Sequence, residues 1–181
     1  YRDQTGRYDG IASIEMFEAV GERYWPVYFD RLRACLNPGR SATIQTITIA
    51  DKRYELYRRQ VDFIQKYVFP GSFIPSLGAI NTASTRSTDF RIIHLEDIGQ
   101  HYARTLSLWR NAFHAQLDRV RAQGYSERFI RMWVYYLAYC EAGFAEQYNG
   151  DVQILFVRPT HPGGSIRTVD SPPPDRVHDE K

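Results

Sequence analysis

Residues 42–49, ATIQTITI, are β-branched almost throughout. A strand with one wet face alternates apolar and polar side chains, whereas a run this uniformly β-branched suits a strand covered on both faces. Such strands belong to sheets flanked by helices. Ahead of this one, Trp25, Phe29, Leu32 and Leu36 recur at helical spacing, which predicts a helix over 24–36. Pro26 is tolerated in its first turn, and Asn37-Pro38-Gly39 is expected to stop it. Before the helix, Ile11, Ala12 and Ile14 mark an earlier strand over 10–15. Strand, helix and strand joined by short links imply a right-handed parallel crossover, hence part of a doubly wound sheet.

The exit from the first strand, within YDGIASIEMFEAVG at 8–21, is the candidate site. Ligands of open α/β sheets bind outside the carboxyl ends of the strands. Glu15 and Glu18 stand at such an end, with Met16 and Phe17 between them. Carboxylates among oily side chains at a strand exit suit a site whose chemistry needs shifted acids.

Farther along, 51–67 reads as one helix, polar at first and then apolar at Tyr57, Val61, Ile64 and Tyr67. FPGSFIPS at 69–76 has two prolines and a glycine, so it is neither regular helix nor central strand. An apolar loop is unusual at a surface; this one is either pinned in the core or lines an oily cavity. Residues 81–89 read as a short helix or loop, and 90–95 as a strand ending at Glu96-Asp97. A long amphipathic helix over 101–122 follows. Gly124 ends it, Ser126 caps another helix, and 151–158 form a last strand antiparallel to the others.

With 181 residues, 43% of them apolar, the chain can bury one sizeable core. A net charge of +2 without any basic tract gives no sign of nucleic-acid binding. Cys35 and Cys140 lie far apart with no metal-type spacing and read as reduced, buried thiols. No apolar run is long enough to span a bilayer, and no signal peptide is visible. A nucleotide-type cofactor calls for a glycine-rich turn between strand and helix, and no such turn occurs; the close pair Gly163-Gly164 lies in a proline-rich tail.

Four blocks in this order resemble the cyclopropane-fatty-acyl-phospholipid synthase family, which includes the mycolic acid cyclopropane synthases. They are SIEMFEAVG at 13–21, YVFPGSFIPS at 67–76, HYARTLSLW at 101–109 and YSERFIRMWVYYLAYCEAGF at 125–144. The implied fold is α/β: the C-terminal half of a Rossmann-like class I methyltransferase sheet, about four strands with the last antiparallel, and helices on its faces. Residues 1–158 would be part of that domain and 159–181 a disordered tail. The resemblance implies an S-adenosylmethionine (SAM)-dependent methyltransferase of lipid biosynthesis, adding a methylene across the cis double bond of an unsaturated phospholipid acyl chain. Bicarbonate is the implied base. The alternatives are a methyl-branching fatty-acid methyltransferase, or a lipid-binding or dimerisation module without catalysis. The glycine-rich SAM loop is expected upstream of Tyr1, so the chain alone is expected to be inactive. The enzyme is expected in the cytoplasm, peripheral to the inner face of the membrane, with unsaturated phospholipid as its partner and a second copy of itself as a candidate one.

By motif, the resemblance makes Glu18 the carboxylate that orients bicarbonate, Ile14 a backbone carbonyl ligand and Tyr102 a hydroxyl donor. Read without the family, Glu18 is equally a helix-start acid and Tyr102 a core tyrosine. Gln45 stands where many members have a histidine; it can donate or accept but not titrate. Ala19 replaces a histidine found in some members, and Glu15 replaces a glycine. Tyr1 and Arg2 match the place that meets the cofactor's adenine, the alternative being a frayed terminus. Phe17, Phe73, Pro75 and Trp109 are candidate walls of an acyl channel, or ordinary core. Lys52, Arg53, Arg58 and Arg59 could meet lipid headgroups or simply form a solvated face.

Overall fold

The structure, a computed structural model, describes residues 1–158. Its centre is a four-stranded sheet. The strands are β1 (Tyr8–Ile14), β2 (Leu36–Ile49), β3 (Arg91–Asp97) and β4 (Asn149–Val157), in the order β1-β2-β4-β3. β1 and β2 run parallel, joined by helix α1 (Trp25–Cys35) as the crossover rule requires. β4 is antiparallel to both of its neighbours and inserts between β2 and β3. The expected antiparallel direction of the last strand is found; its central position is not something periodicity can specify.

Each face of β2 and β4 is covered, and the two faces differ. Ala42, Ile44, Val152, Ile154 and Phe156 face α1 and helix α4 (Leu77–Ser87) in the main core. Its centre is an aromatic cluster. Phe17 is wholly buried, stacked on Trp25 with centroids 5.1 Å apart and set against Tyr28 and Phe29. On the other face, Ile47 meets α5 (Gly99–Ala115) and α7 (Glu127–Ala145) through Tyr102, Leu106, Leu137 and Phe144. β1 forms an outer edge whose side chains are mostly exposed.

Several boundaries depart from the sequence reading. Asn37-Pro38-Gly39 does not separate helix from strand, because β2 already begins at Leu36. It falls instead in a bulge: Tyr8 pairs with Leu36 but Gly10 with Ser41, and Gly39 takes a φ of 75°. The helix expected over 51–67 is two, α2 (Asp51–Tyr57) and α3 (Phe63–Tyr67). The second starts with a capping box, in which Asp62 Oδ1 accepts from Gln65 N and Gln65 Oε1 accepts from Asp62 N. The helix expected over 101–122 breaks at Gln116, so that α6 (Leu117–Ala122) follows α5; no proline or glycine marks the break. Ser126 caps α7 as expected, its hydroxyl accepting from Phe129 N. Both cysteines are free thiols. The tail expected to be disordered lies outside the described residues.

The apolar loop at 69–76 is pinned. Phe73 N donates to Glu18 O at 2.8 Å, Ile49 N donates to Pro75 O at 2.9 Å, and buried Ser76 caps α4 through Ala79 N. Its backbone polar groups are therefore satisfied by the site turn and the end of β2, which lets an oily loop lie against the core. Phe17→Ala should cost about 3–5 kcal/mol, read as a lower urea midpoint, because it empties the centre of the aromatic cluster.

Candidate active site

The carboxyl ends of β1, β2 and β3 and the start of β4 converge on one spot. β1 ends at Ile14, opposite Gln45. Glu15 N still donates to Gln45 O at 3.0 Å, and there the ladder stops. The next donor on that edge of β2, the Ile47 N–H, has no strand to meet. Glu18 supplies the acceptor: its Oε1 takes the Ile47 N–H at 2.5 Å and the Thr46 hydroxyl at 2.7 Å. The short 3-10 turn Phe17–Ala19 presents Glu18 there because Phe17 is locked in the core and Phe73 holds the Glu18 carbonyl. Glu18 Oε2 is buried with no hydrogen-bond partner. Burial pushes its pKa above the ordinary value, only partly opposed by the Thr46 and Ile47 hydrogen bonds.

On the other side of β2, buried Gln45 organises a second group. Its Nε2 lies 2.9 Å from Glu15 Oε1, 3.2 Å from the Tyr102 hydroxyl and 3.3 Å from Asp151 Oδ2. Its Oε1 accepts from Gln153 Nε2 at 2.9 Å, the two glutamines facing each other across the β2–β4 ladder. An amide has two N–H protons, so three acceptors cannot all be satisfied by it. Asp151 is wholly buried, and its Oδ1 has no partner. Burial first, then the Glu15 charge, push its pKa up to about 8, well above the ordinary carboxylate range. Tyr102, whose hydroxyl oxygen accepts from Gln45 Nε2, is pushed up to about 12 by burial and by the Glu15 and Asp151 charges and stays protonated.

Glu15 itself has a φ of 50°, in the left-handed region natural to glycine. A side chain there costs about 1–2 kcal/mol. Glu15 therefore bears backbone strain.

Glu18, Gln45 and Tyr102 thus flank the same strand end, and the Ile14 carbonyl lies beside them; the Ile14 side chain is exposed. Asp151, Thr46 and Gln153 complete the site and were not singled out from sequence. Nothing local marks them: Asp151 is 106 residues from Gln45. Tyr1 packs edge-on against Tyr28 at 5.4 Å, and Arg2 lies 4.4 Å over the Tyr24 ring. Tyr1, Ile11, Ser13, Ile14 and Met16 line a cleft of about 660 Å³ along the open edge of β1. Of the channel candidates, Phe17 and Pro75 are closed into the core, a correction that follows from the aromatic stacking and the Ile49–Pro75 hydrogen bond. Phe73 is half-buried and lines a separate cleft beside Phe69, while Trp109 is 55% exposed on α5. Arg58 is paired with Glu22 and Glu55, Arg59 with Glu55, and Arg53 covers the Tyr148 ring, so much of that basic face is already partnered. Among the described residues, no group of three His, Cys, Asp or Glu side chains could hold a metal.

An α/β sheet with its last strand antiparallel beside the second, and polar chemistry at the strand ends, defines a Rossmann-like fold shared with class I SAM methyltransferases. The chain belongs to the mycolic acid cyclopropane synthetase family, whose model matches residues 1–154. It is 43% identical over 158 residues to the tuberculostearic acid methyltransferase UfaA1 of Mycobacterium tuberculosis, covering 87% of this chain and 37% of that protein. It is 34% identical over 159 residues to the cyclopropane-fatty-acyl-phospholipid synthase of Escherichia coli strain K12, covering 87% of this chain and 40% of that one. The solved cyclopropane synthase MmaA2 of Mycobacterium tuberculosis superposes with a TM-score of 0.77 at 25% identity, over 86% of this chain and 57% of that one. The chain thus spans about two fifths of the length of these curated relatives.

Bicarbonate, the base the resemblance implies, would find an acceptor for its hydroxyl at Glu18 Oε2, which is buried without a partner. The Tyr102 hydroxyl, whose oxygen accepts from Gln45, would be its donor, while the Gln45 amide is already shared among three acceptors.

Because the folded-state pKa of Asp151 is raised, the native chain binds the extra proton. Stability is therefore lost as pH climbs from the ordinary carboxylate range toward the value of about 8. Asp151→Asn should remove that slope. In urea titrations its midpoint should exceed wild type by more at about pH 8 than at about pH 5.

Proposed function

We propose that the protein containing this chain is a SAM-dependent methyltransferase that alkylates the cis double bond of unsaturated phospholipid acyl chains, forming cyclopropane fatty acids. The observation that carries the reading is the acidic end of the sheet: Glu15 and Asp151 gathered on Gln45 with Tyr102 on one side of β2, and Glu18 held by Thr46 and Ile47 on the other. An alkene is a weak nucleophile, and its alkylation leaves positive charge on carbon. A partly buried carboxylate fixed by two hydrogen bonds, as Glu18 is, stabilises developing positive charge there.

SAM, when bound, supplies an electrophilic methyl group on sulfonium. Tyr1 and Arg2 are the candidates for its adenine end: Tyr1 lines the cleft along β1, and the Arg2 guanidinium lies 5.5 Å from the Tyr1 ring. Glu18 is held rigidly by Thr46 and Ile47, so its charge does not have to reorganise during reaction. Tyr102 keeps its hydroxyl proton, and Gln45 orients Glu15. Phe73 and Trp109 remain the candidates for contact with the acyl chain. The substrate lies in a bilayer, and no helix among the described residues is long and apolar enough to cross one. The protein would then work at the membrane surface, on its cytoplasmic side.

A second reading shares the same cation but ends in a methyl branch. It is favoured by the higher identity to the tuberculostearic acid methyltransferase than to the E. coli synthase. The test is incubation of the whole protein containing this chain with methyl-labelled SAM and vesicles of unsaturated phospholipid. Label is expected in the lipid fraction, and chromatography of the released fatty acids separates ring from branch. Lipid without label would overturn both readings. Glu18→Gln keeps the shape and removes the charge, and should lower the rate about 10²–10³-fold.

A further inference from the structure

Helices α3 and α7 bring a group of aromatic rings to the surface that the candidate site does not use. Phe63 of α3 is its hub. The rings of Tyr67, Tyr135 and Tyr139 lie with their centroids 5.5, 4.7 and 6.1 Å from that of Phe63. Tyr135 and Tyr139 also meet each other at 6.0 Å, and Phe69, just past α3, makes a T-shaped contact with Tyr136 of α7. Yet four of these rings stay largely open: Tyr135 is 53% exposed, Tyr67 51%, Phe69 50% and Tyr139 38%. Rings gathered in one place at this exposure mark a surface that meets something.

The charges around the rings narrow what that is. Along α7, Arg131, Tyr135 and Tyr139 follow at a spacing of four and are all exposed, so the guanidinium lies one turn from the phenols on the same stripe. Lys66 Nζ lies 5.1 Å from the centre of the Tyr67 ring. Neither Lys66 nor Arg131 forms an ion pair among the described residues. The nearby acids are engaged: Asp62 Oδ1 accepts from Gln65 N at the start of α3, and Glu127 pairs with Arg121. The face is therefore aromatic at its centre and cationic at its rim. Two copies of it meeting across a two-fold axis would set cation against cation. A tyrosine half out of the protein, with an apolar ring and a polar tip, suits the headgroup level of a bilayer. Anionic headgroups complement the lysine and arginine beside it.

We propose that the α3–α7 face, with Tyr67, Phe69, Tyr135 and Tyr139 at its centre and Lys66 and Arg131 at its rim, docks on an anionic phospholipid bilayer. The choice of a bilayer rests on the phospholipid reading above. The face is tied to the candidate site at two points. Phe69 opens the loop whose Phe73 N–H holds the Glu18 carbonyl, and Tyr136 packs in the same cluster as Tyr102. Docking there sets the lipid against the elements that carry the strand-end acids.

The test uses the whole protein containing this chain. Flotation is measured with vesicles containing phosphatidylglycerol and with vesicles of phosphatidylcholine alone, and methyl transfer is measured on unsaturated phospholipid dispersed in detergent micelles. Tyr135→Trp reports the contact directly, because indole also lodges at the bilayer interface. Its added emission, relative to wild type, should be quenched by bromine-labelled acyl chains in anionic vesicles. Lys66→Gln combined with Arg131→Gln should weaken binding to anionic vesicles about 25-fold, from about fivefold for each cation near the surface. It should leave binding to phosphatidylcholine and the rate in micelles as in wild type. Tyr135→Ser combined with Tyr139→Ser should weaken binding to both kinds of vesicle about tenfold. A Tyr135→Trp emission that brominated lipid leaves unquenched, because another surface binds or the rest of the protein covers this one, would overturn the proposal. So would anionic-vesicle binding that the paired cation variant leaves unaltered. Methyl transfer in micelles would in either case leave the methyl-transfer reading intact. Quenching on vesicles without methyl transfer in micelles would overturn that reading and leave the docking face standing.

Discussion

The Glu18 carboxylate completes a hydrogen-bond ladder that β1 leaves unfinished. Without it, the Ile47 N–H and the Thr46 hydroxyl would face a partly buried gap, and an unpaired donor there costs about 1–3 kcal/mol. The same contact fixes the turn after β1, and Phe73 in turn holds the Glu18 carbonyl. The aromatic core, the pinned loop and the strand ends are therefore tied together through one side chain. That is also why a single acid can keep a defined orientation at the mouth of an otherwise apolar structure.

The two sides of β2 divide the labour. On the α1 side, Glu18 is a carboxylate held rigidly by Thr46 and Ile47. On the α5 side, Glu15, Tyr102 and Asp151 gather around the Gln45 amide, which does not titrate. Gln45 joins the two functions because it lies next to Thr46 in the strand, and alternate side chains of a strand point to opposite faces.

Much of this was legible in the amino-acid order. The β-branched run of β2 and the buried stripe of α1 are local periodicities, and both mark elements found within a few residues of their expected ends. Glu18, Gln45 and Tyr102 stood out because they fall in blocks resembling the family. The Asp62–Gln65 capping box is a short motif inside the run expected as one helix, and it starts α3 afresh after α2. The break at Gln116 has no breaker residue to announce it. Asp151 was out of reach for a different reason. It reads as an ordinary acid entering a strand, and only the insertion of β4 beside β2 brings it to Gln45. Glu15 was noticed as a departure, but its meaning depends on a backbone angle that sequence does not display.

The central place of β4 governs how the molecule comes into being. The strand made last fills the gap between β2 and β3, and it pairs with residues more than a hundred positions earlier. During synthesis, β2 and β3 must therefore wait with unsatisfied edges while α5, α6 and α7 emerge. Such distant pairings are slow to form and leave sticky intermediates exposed meanwhile. Helices α5 and α7 can pack on each other locally in that interval and shelter the waiting face. Nascent chains stopped before residue 149 should accordingly depend on chaperones, and the acidic centre is born only when the sheet closes.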